Sequence, residues 1–257
     1  MNGLLNTIPA WELAVLLIAA TSLCSVGSVA LVRRLAGKKE RGEHHNEVLG
    51  MLLSAGGIFS AVVVALALFV VWDHLTSVRQ AEVDEGASLV ALYQDASTLP
   101  QPARTQVETS IRDYTVSMIR DEFPSLTRGE GSDATERSLS RMDAAVHARL
   151  SNTSAPDLVT SVTRSQYQLV LASDETMPPL LWILLLGGCL LLLLMAAPLF
   201  MESARYHAIG SVLLGCALGA ALFLILVADH PFAGPLQVQP NDLARNLHTY
   251  QVMDGSG

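Results

Sequence analysis

Four runs of apolar residues dominate the chain, at about Trp11–Val32, Val48–Trp72, Leu180–Phe200 and His207–Ala228. A helix needs roughly 20 residues to cross a bilayer core of about 30 Å, and each run is about that long or longer. None carries a charge in its middle; Glu12 lies near one end. A charge at bilayer depth is costly, so this spacing of charges is what four transmembrane helices require. Between the second and third runs the pattern changes to mixed polar and apolar positions at helical spacing. The pattern predicts an all-α membrane protein: four transmembrane helices, with a helical extramembrane domain inserted between the second and third.

The boundaries follow from the same pattern. Residues 1–32 hold the N-terminus and first span, 33–47 a basic loop, and 48–74 the second span. Residues 75–179 form the extramembrane domain, 180–228 the last two spans, and 229–257 a C-terminal tail. Leu75, Val78, Leu89, Leu92, Tyr93 and Ala96 keep helical spacing beyond the second span, so that helix is expected to run on into solvent. Gly86 is a weak point in it, and Pro100 and Pro102 end it. A second amphipathic helix places Val107, Ile111, Tyr114, Met118 and Phe123 on one side, with Pro124 as its stop. A third runs over Asp133–Leu150. A fourth runs over about Pro156–Ala172, its proline and Asp157 suiting the first turn.

Charge sets an orientation. The short loop after the first span holds Arg33, Arg34, Lys38, Lys39 and Arg41. Cytoplasmic loops collect such residues, so 33–47 is expected inside. Both termini and residues 75–179 then lie outside the cytoplasm, as expected of a multi-pass protein of a bacterial inner membrane. The leading "MNGLLNTIPAWE" has no Lys or Arg, which speaks against a secretory signal. The inserted domain has nine Arg, no Lys and an excess of Asp and Glu. That acidity argues against nucleic acid as a partner. Cys24, Cys189 and Cys216 all fall inside apolar runs and read as small embedded hydrophobes.

No phosphate loop, nucleophile elbow, paired-Cys motif or HExxH helix is present. No enzyme activity, cofactor or metal centre is therefore expected, and the candidate residues are those of the spans and their ends. In the second span Gly50, Ser54, Gly57, Ala61 and Ala65 form a small-residue stripe, which allows close helix approach or leaves room for a lumen. Phe59, Val63, Leu66 and Val70 form a bulky stripe, which would pack or would gate a pore by dewetting. His44, His45 and Asn46 precede this span. They read either as a helix cap at Asn46 or as groups for metal binding or pH gating. Asp73 and His74 close the second span; Asp229 and His230 close the fourth. Two such pairs would form an ion vestibule or a polar lock. Ser211, Gly215 and Gly219 in the fourth span read as a packing face.

Several stretches together carry a resemblance: "HNEVLG" opening the second span, "FVVWDH" closing it, "EGASLVALY", "DYTVSMIRDEFPSL" and "LILVADHPFAG". The chain resembles the bacterial bestrophin-like membrane proteins, from about residue 30 to about 247. One departure is "DEFP", where Phe123 stands in place of the more usual tryptophan. The resemblance implies a distant relation to bestrophins, pentameric anion channels whose second helix lines a hydrophobic neck. It implies a homo-oligomer, a pentamer by that analogy, with membrane lipid and inorganic ions such as chloride as partners. Bestrophins place their large helical domain in the cytoplasm, whereas the charges here place 75–179 outside. The functional expectation is an oligomeric, anion-conducting channel lined by the second span. The alternative is a non-conducting sensor or scaffold acting through the helical domain.

Overall fold

The computed structural model describes residues 8–36, 45–199 and 203–255. The described residues are helical nearly throughout. The helices are α1 (Ala10–Ala36), α2 (His45–Ser97), α3 (Ala103–Ser117), α4 (Phe123–Leu126), α5 (Asp133–Leu150), α6 (Ala155–Asp174), α7 (Pro179–Ala196), α8 (Ala204–Ala228) and α9 (Asn241–Gly255). A π-helical turn, Met118–Glu122, joins α3 to α4. Among the described residues four helices are long and apolar enough to cross a membrane: Ala10–Arg34, Asn46–Ser97, Pro179–Ala196 and Arg205–Ala228. At 1.5 Å per residue the 53-residue α2 is about 80 Å long, well over twice a bilayer core. Its apolar part, Val48–Trp72, suffices for the crossing. From Asp73 onward it carries Arg79, Glu82, Asp84 and Glu85, and this charged part belongs outside the hydrocarbon.

The chain forms two compact units. One comprises Thr7–Asp73 and Met177–Asp229, the other His74–Thr176 and His230–Gly257.

In the first unit α1 packs closely along α8, because α8 presents glycines where the backbones meet. A Cβ on Gly215 would lie 2.5 Å from the Ser22 Cα, and one on Gly219 would meet Ile18 and Thr21. Thr21 Oγ1 donates to the Gly215 carbonyl at 2.7 Å, a polar link between helices in an apolar setting. Arg33, at the end of α1, reaches His207 Nδ1 near the start of α8, 3.0 Å away, so the two helices run antiparallel. The arginine can only donate, so that ring nitrogen accepts. α2 packs on α7 through Ser60, whose hydroxyl donates to the Gly188 carbonyl at 3.0 Å. Gly57 lies against Leu192, and Gly56 faces Met195.

In the second unit α3, α5, α6 and α9 pack with the outer part of α2 around Leu89, Leu92, Tyr93, Val107, Ile111, Tyr114, Met142, Val146 and Leu169, all almost fully buried. Burying such side chains contributes about 1.5–3 kcal/mol each.

α2 keeps the continuity expected of it through Gly86, and two other local features, at Pro124 and in the tail, differ from the expectations. A Cβ on Gly86 would stand 3.3 Å from Asn246 Nδ2 and 3.4 Å from Asp242 Cβ, so the missing side chain lets α9 approach. Pro124 does not stop the chain; helix resumes as far as Leu126. A proline clashes with the carbonyl four residues back, and the π-turn before it widens the coil, with Phe123 N–H bonded to the Met118 carbonyl. The tail contains the helix α9, docked through Leu243, Asn246 and Tyr250.

Candidate functional site

The second span positions most of the candidate residues. Its buried side is Ser60, Val63, Ala67 and Val71, spaced three and four residues apart. Val63, assigned to the bulky stripe, therefore lies within the unit at 5% exposure. Phe59 and Leu66 flank that buried side and are 49% and 47% exposed; Val70 is half-buried. At 100° per residue, Ser54, Ala61 and Ala65 fall on the opposite side of the helix, and all three are exposed. Gly50 and Gly57 are half-buried. Within one chain Ser54, Ala61 and Ala65 thus lie on the exposed side of α2, while a Cβ on Gly57 would meet Leu192 and one on Gly50 would meet nothing within 4 Å.

At the start of this span the helix begins at His45, which places Asn46 in the first turn, not at the capping position. Asn46 and Glu47 are exposed. His44 lies outside the described residues, as do Lys38, Lys39 and Arg41 of the basic loop.

The two acid–histidine pairs have different environments. Asp73 is exposed. His74 is half-buried and its Nε2 is enclosed without a hydrogen-bond partner. That ring borders a cleft of about 180 Å³ that Ser77, Gln168 and Glu175 also line. Asp229 and His230 are buried, at 2% and 5% exposure. Asp229 Oδ1 accepts from the Met177 backbone N–H at 2.6 Å, tying the end of α8 to the segment that leads into α7. After His230 the chain turns at Gly234, whose φ of 75° suits glycine, and the Val238 N–H returns to the Pro231 carbonyl at 2.7 Å. Phe232 packs edge-on to Phe123, centroids 6.2 Å apart. Phe123 of "DEFP" and Phe232 of "DHPFAG" thus meet in the helical unit.

A group of residues that sequence patterning passes over lies in the helical unit. Glu82, Glu85 and Glu122 are buried, at 4%, 0% and 0% exposure. Glu82 accepts from the Asp242 N–H at 2.9 Å and so caps α9. Glu122 accepts from Ser132 N–H at 2.8 Å and from Gln166 Nε2 at 2.9 Å, which ties the π-turn to α5 and α6. Glu85 accepts one hydrogen bond, from Tyr114 Oη at 2.5 Å. Burial pushes the Glu85 carboxyl up to about 8, against the Tyr114 bond and helped by the negative charges of Glu122 and Glu82. Burial also raises Glu82, opposed by the N–H groups of Asp242 and Leu243. Among the described residues no group of three or more His, Cys, Asp or Glu has the arrangement to hold a metal ion.

Comparison with known proteins agrees with this architecture. A crystal structure of a mutated bacterial Bestrophin homolog from Klebsiella pneumoniae superposes with a TM-score of 0.68 at 10% identity, covering 95% of this chain and 99% of that one. A second structure of that homolog, solved by Zn-SAD phasing, gives 0.67 at 10% identity, covering 92% and 96%. At these identities the likeness concerns the fold. No curated protein matches by sequence. A family model described as the Bestrophin-like domain matches residues 19–243, nearly the whole chain. With its four apolar helices, inserted helical unit and "DHPFAG" corner, the chain belongs to the Bestrophin-like family.

Proposed function

We propose that the chain assembles into a homo-oligomeric ion channel, anion-conducting, with the apolar part of α2 lining the pore. The observation that carries this reading is the exposed stripe of Ser54, Ala61 and Ala65 on the side of α2 facing away from its own chain, within a Bestrophin-like fold. Small side chains on that side leave a lumen when copies surround an axis, whereas the side bearing Ser60, Val63, Ala67 and Val71 is buried within the chain's own unit. Phe59 and Leu66, exposed beside the buried side, would narrow the path by dewetting, with half-buried Val70 next to them. Gly50 and Gly57 extend the small face. Val63, turned into its own unit, supports the wall from behind.

At the mouths, His45 and Asn46, which follow His44 in sequence, stand at one end of the apolar part of this helix and Asp73 and His74 at the other. Exposed Asp73 and titratable histidines would set the local potential for entering ions. Asp229, bonded to the Met177 N–H, would act on conduction through structure, and buried His230 follows it in the chain. A pentamer follows from the resemblance to bestrophins. The protein sits in a bacterial inner membrane, with residues 33–47 cytoplasmic and 75–179 outside, as the loop charges require.

Replacing Ala61 by Trp tests the lining directly. The substitution is expected to cut single-channel conductance at least tenfold while the oligomer stays intact on size exclusion. Unchanged conductance in an intact oligomer would remove this face of α2 from the pore.

A further inference from the structure

The Glu85 side chain is fully buried in the helical unit, and its Oε2 has no hydrogen-bond partner. A buried carboxylate oxygen left unpaired is far costlier than a buried carboxylic acid, which carries no charge. The groups that act on it are Tyr114 from α3, Glu122 from the π-turn, and Glu82 one turn back on its own helix. α9 adds Asp242, which acts on Glu82. No lysine, arginine or histidine among the described residues offsets these charges at Glu85. Glu122 differs, because both of its oxygens accept hydrogen bonds.

We propose that Glu85 is a proton-binding site: the folded helical unit holds a proton on its carboxyl, and loss of that proton loosens the packing of α2 against α3. The proton sits on Oε2, which frees Oε1 to accept from Tyr114. Releasing it places a charge in the apolar contact between the two helices, beside two further acids. The unit then responds to alkaline pH, because burial has pushed this carboxyl up to about 8. The proposal stands whether or not the chain conducts ions.

Two readings of the full-length protein in detergent micelles test it. Infrared spectra should show a protonated-carboxyl C=O band at pH 6 that disappears with a midpoint near 8 and is missing in Glu85→Gln. The unfolded chain loses this proton near 4.5 and the folded one near 8. Glu85's contribution to stability is therefore fully present below 4.5 and is lost as pH rises through that window. The folding constant should drop about tenfold per pH unit there, and the Glu85→Gln protein should lack this slope. Should Glu85→Gln fail to fold, Tyr114→Phe serves instead. Its band midpoint should move to higher pH, because the hydrogen bond that favours the ionised form is gone. A spectrum without the band at pH 6, a band unchanged in Glu85→Gln, or a midpoint unmoved in Tyr114→Phe would overturn the proposal.

Discussion

Two carboxylates of the helical unit respond to pH in opposite directions, and their surroundings explain why. Glu85 is sealed in and lacks a cation. Asp254 lies at the rim, where burial is outweighed by hydrogen bonds from Tyr93 and from Arg112 at 2.6 Å, which hold it below the usual carboxylate range. Its contribution to stability is present above about 3.8, the value of the unfolded chain, and is lost as pH falls through the lower native value. Both partners of the Arg112–Asp254 pair are more than a third exposed, so the pair contributes about 1 kcal/mol at most. Arg112→Ala should therefore lower the unfolding free energy by less than about 1 kcal/mol and flatten the acid limb of the stability curve. A loss of several kcal/mol in denaturant titrations would show that the pair matters beyond its exposure.

The glycines of α8 are a harder constraint. Gly215→Val places new atoms against the Ser22 backbone, which cannot swing aside as a side-chain tip can. Overpacking of this kind costs typically about 1–3 kcal/mol, and a loss of thermal stability of that order is expected. Gly187→Val, at a position with open space, is the control and should be nearly silent.

At the scale of elements, α9 shows how a short helix is fixed. Tyr250 stacks on Tyr93 with centroids 4.2 Å apart, Asn246 Nδ2 donates to the Gly86 carbonyl at 2.7 Å, and Glu82 caps the first turn. Tyr250→Ala should cost about 3 kcal/mol and should speed amide exchange throughout Asn241–Gly255. Exchange unchanged there would mean that the stack is not what holds α9.

The sequence pattern was open to reading wherever one strong signal decided the element. The four spans were legible because each is an uninterrupted apolar run of sufficient length. The fate of Ser211, Gly215 and Gly219 was legible as a packing face because small residues at that spacing have few other uses in a bilayer. α9 is announced only by Pro240 and by Leu243, Asn246, Leu247 and Tyr250 at helical spacing, a weak signal in a polar tail. Gly86 reads only as a weak point in a continuous helix, because its reason, the approach of α9, lies some 160 residues away in the chain. The stop expected at Pro124 failed because the π-turn before it relieves the clash. Glu82, Glu85 and Glu122 were hidden for a plain reason: acids within an amphipathic helix read as its solvent face. The side of α2 that its own chain covers was equally hidden, since Val63 and Leu66 look alike in sequence.

For the whole molecule, topology is the first issue to settle. Arg33 beside His207 places the end of α1 and the start of α8 at one end of their unit, the parity that four spans demand. The proposed topology, resting on the loop charges, puts that end in the cytoplasm. With the native cysteines replaced, Gly42→Cys should react with a membrane-impermeant reagent only from the inside. Ser140→Cys, an exposed position on α5, should react only from the outside. The reverse pattern would give this chain the orientation of bestrophins.

The most direct test of the channel reading is current across a planar bilayer containing the purified protein under a KCl gradient. Discrete openings with a reversal potential toward the chloride value are the predicted result. A reversal potential toward the potassium value would contradict anion selectivity and make the acidic helical unit the deciding filter. No current above that of the empty bilayer, over a range of pH and voltage, would contradict the channel and leave a sensor or scaffold acting through residues 75–179.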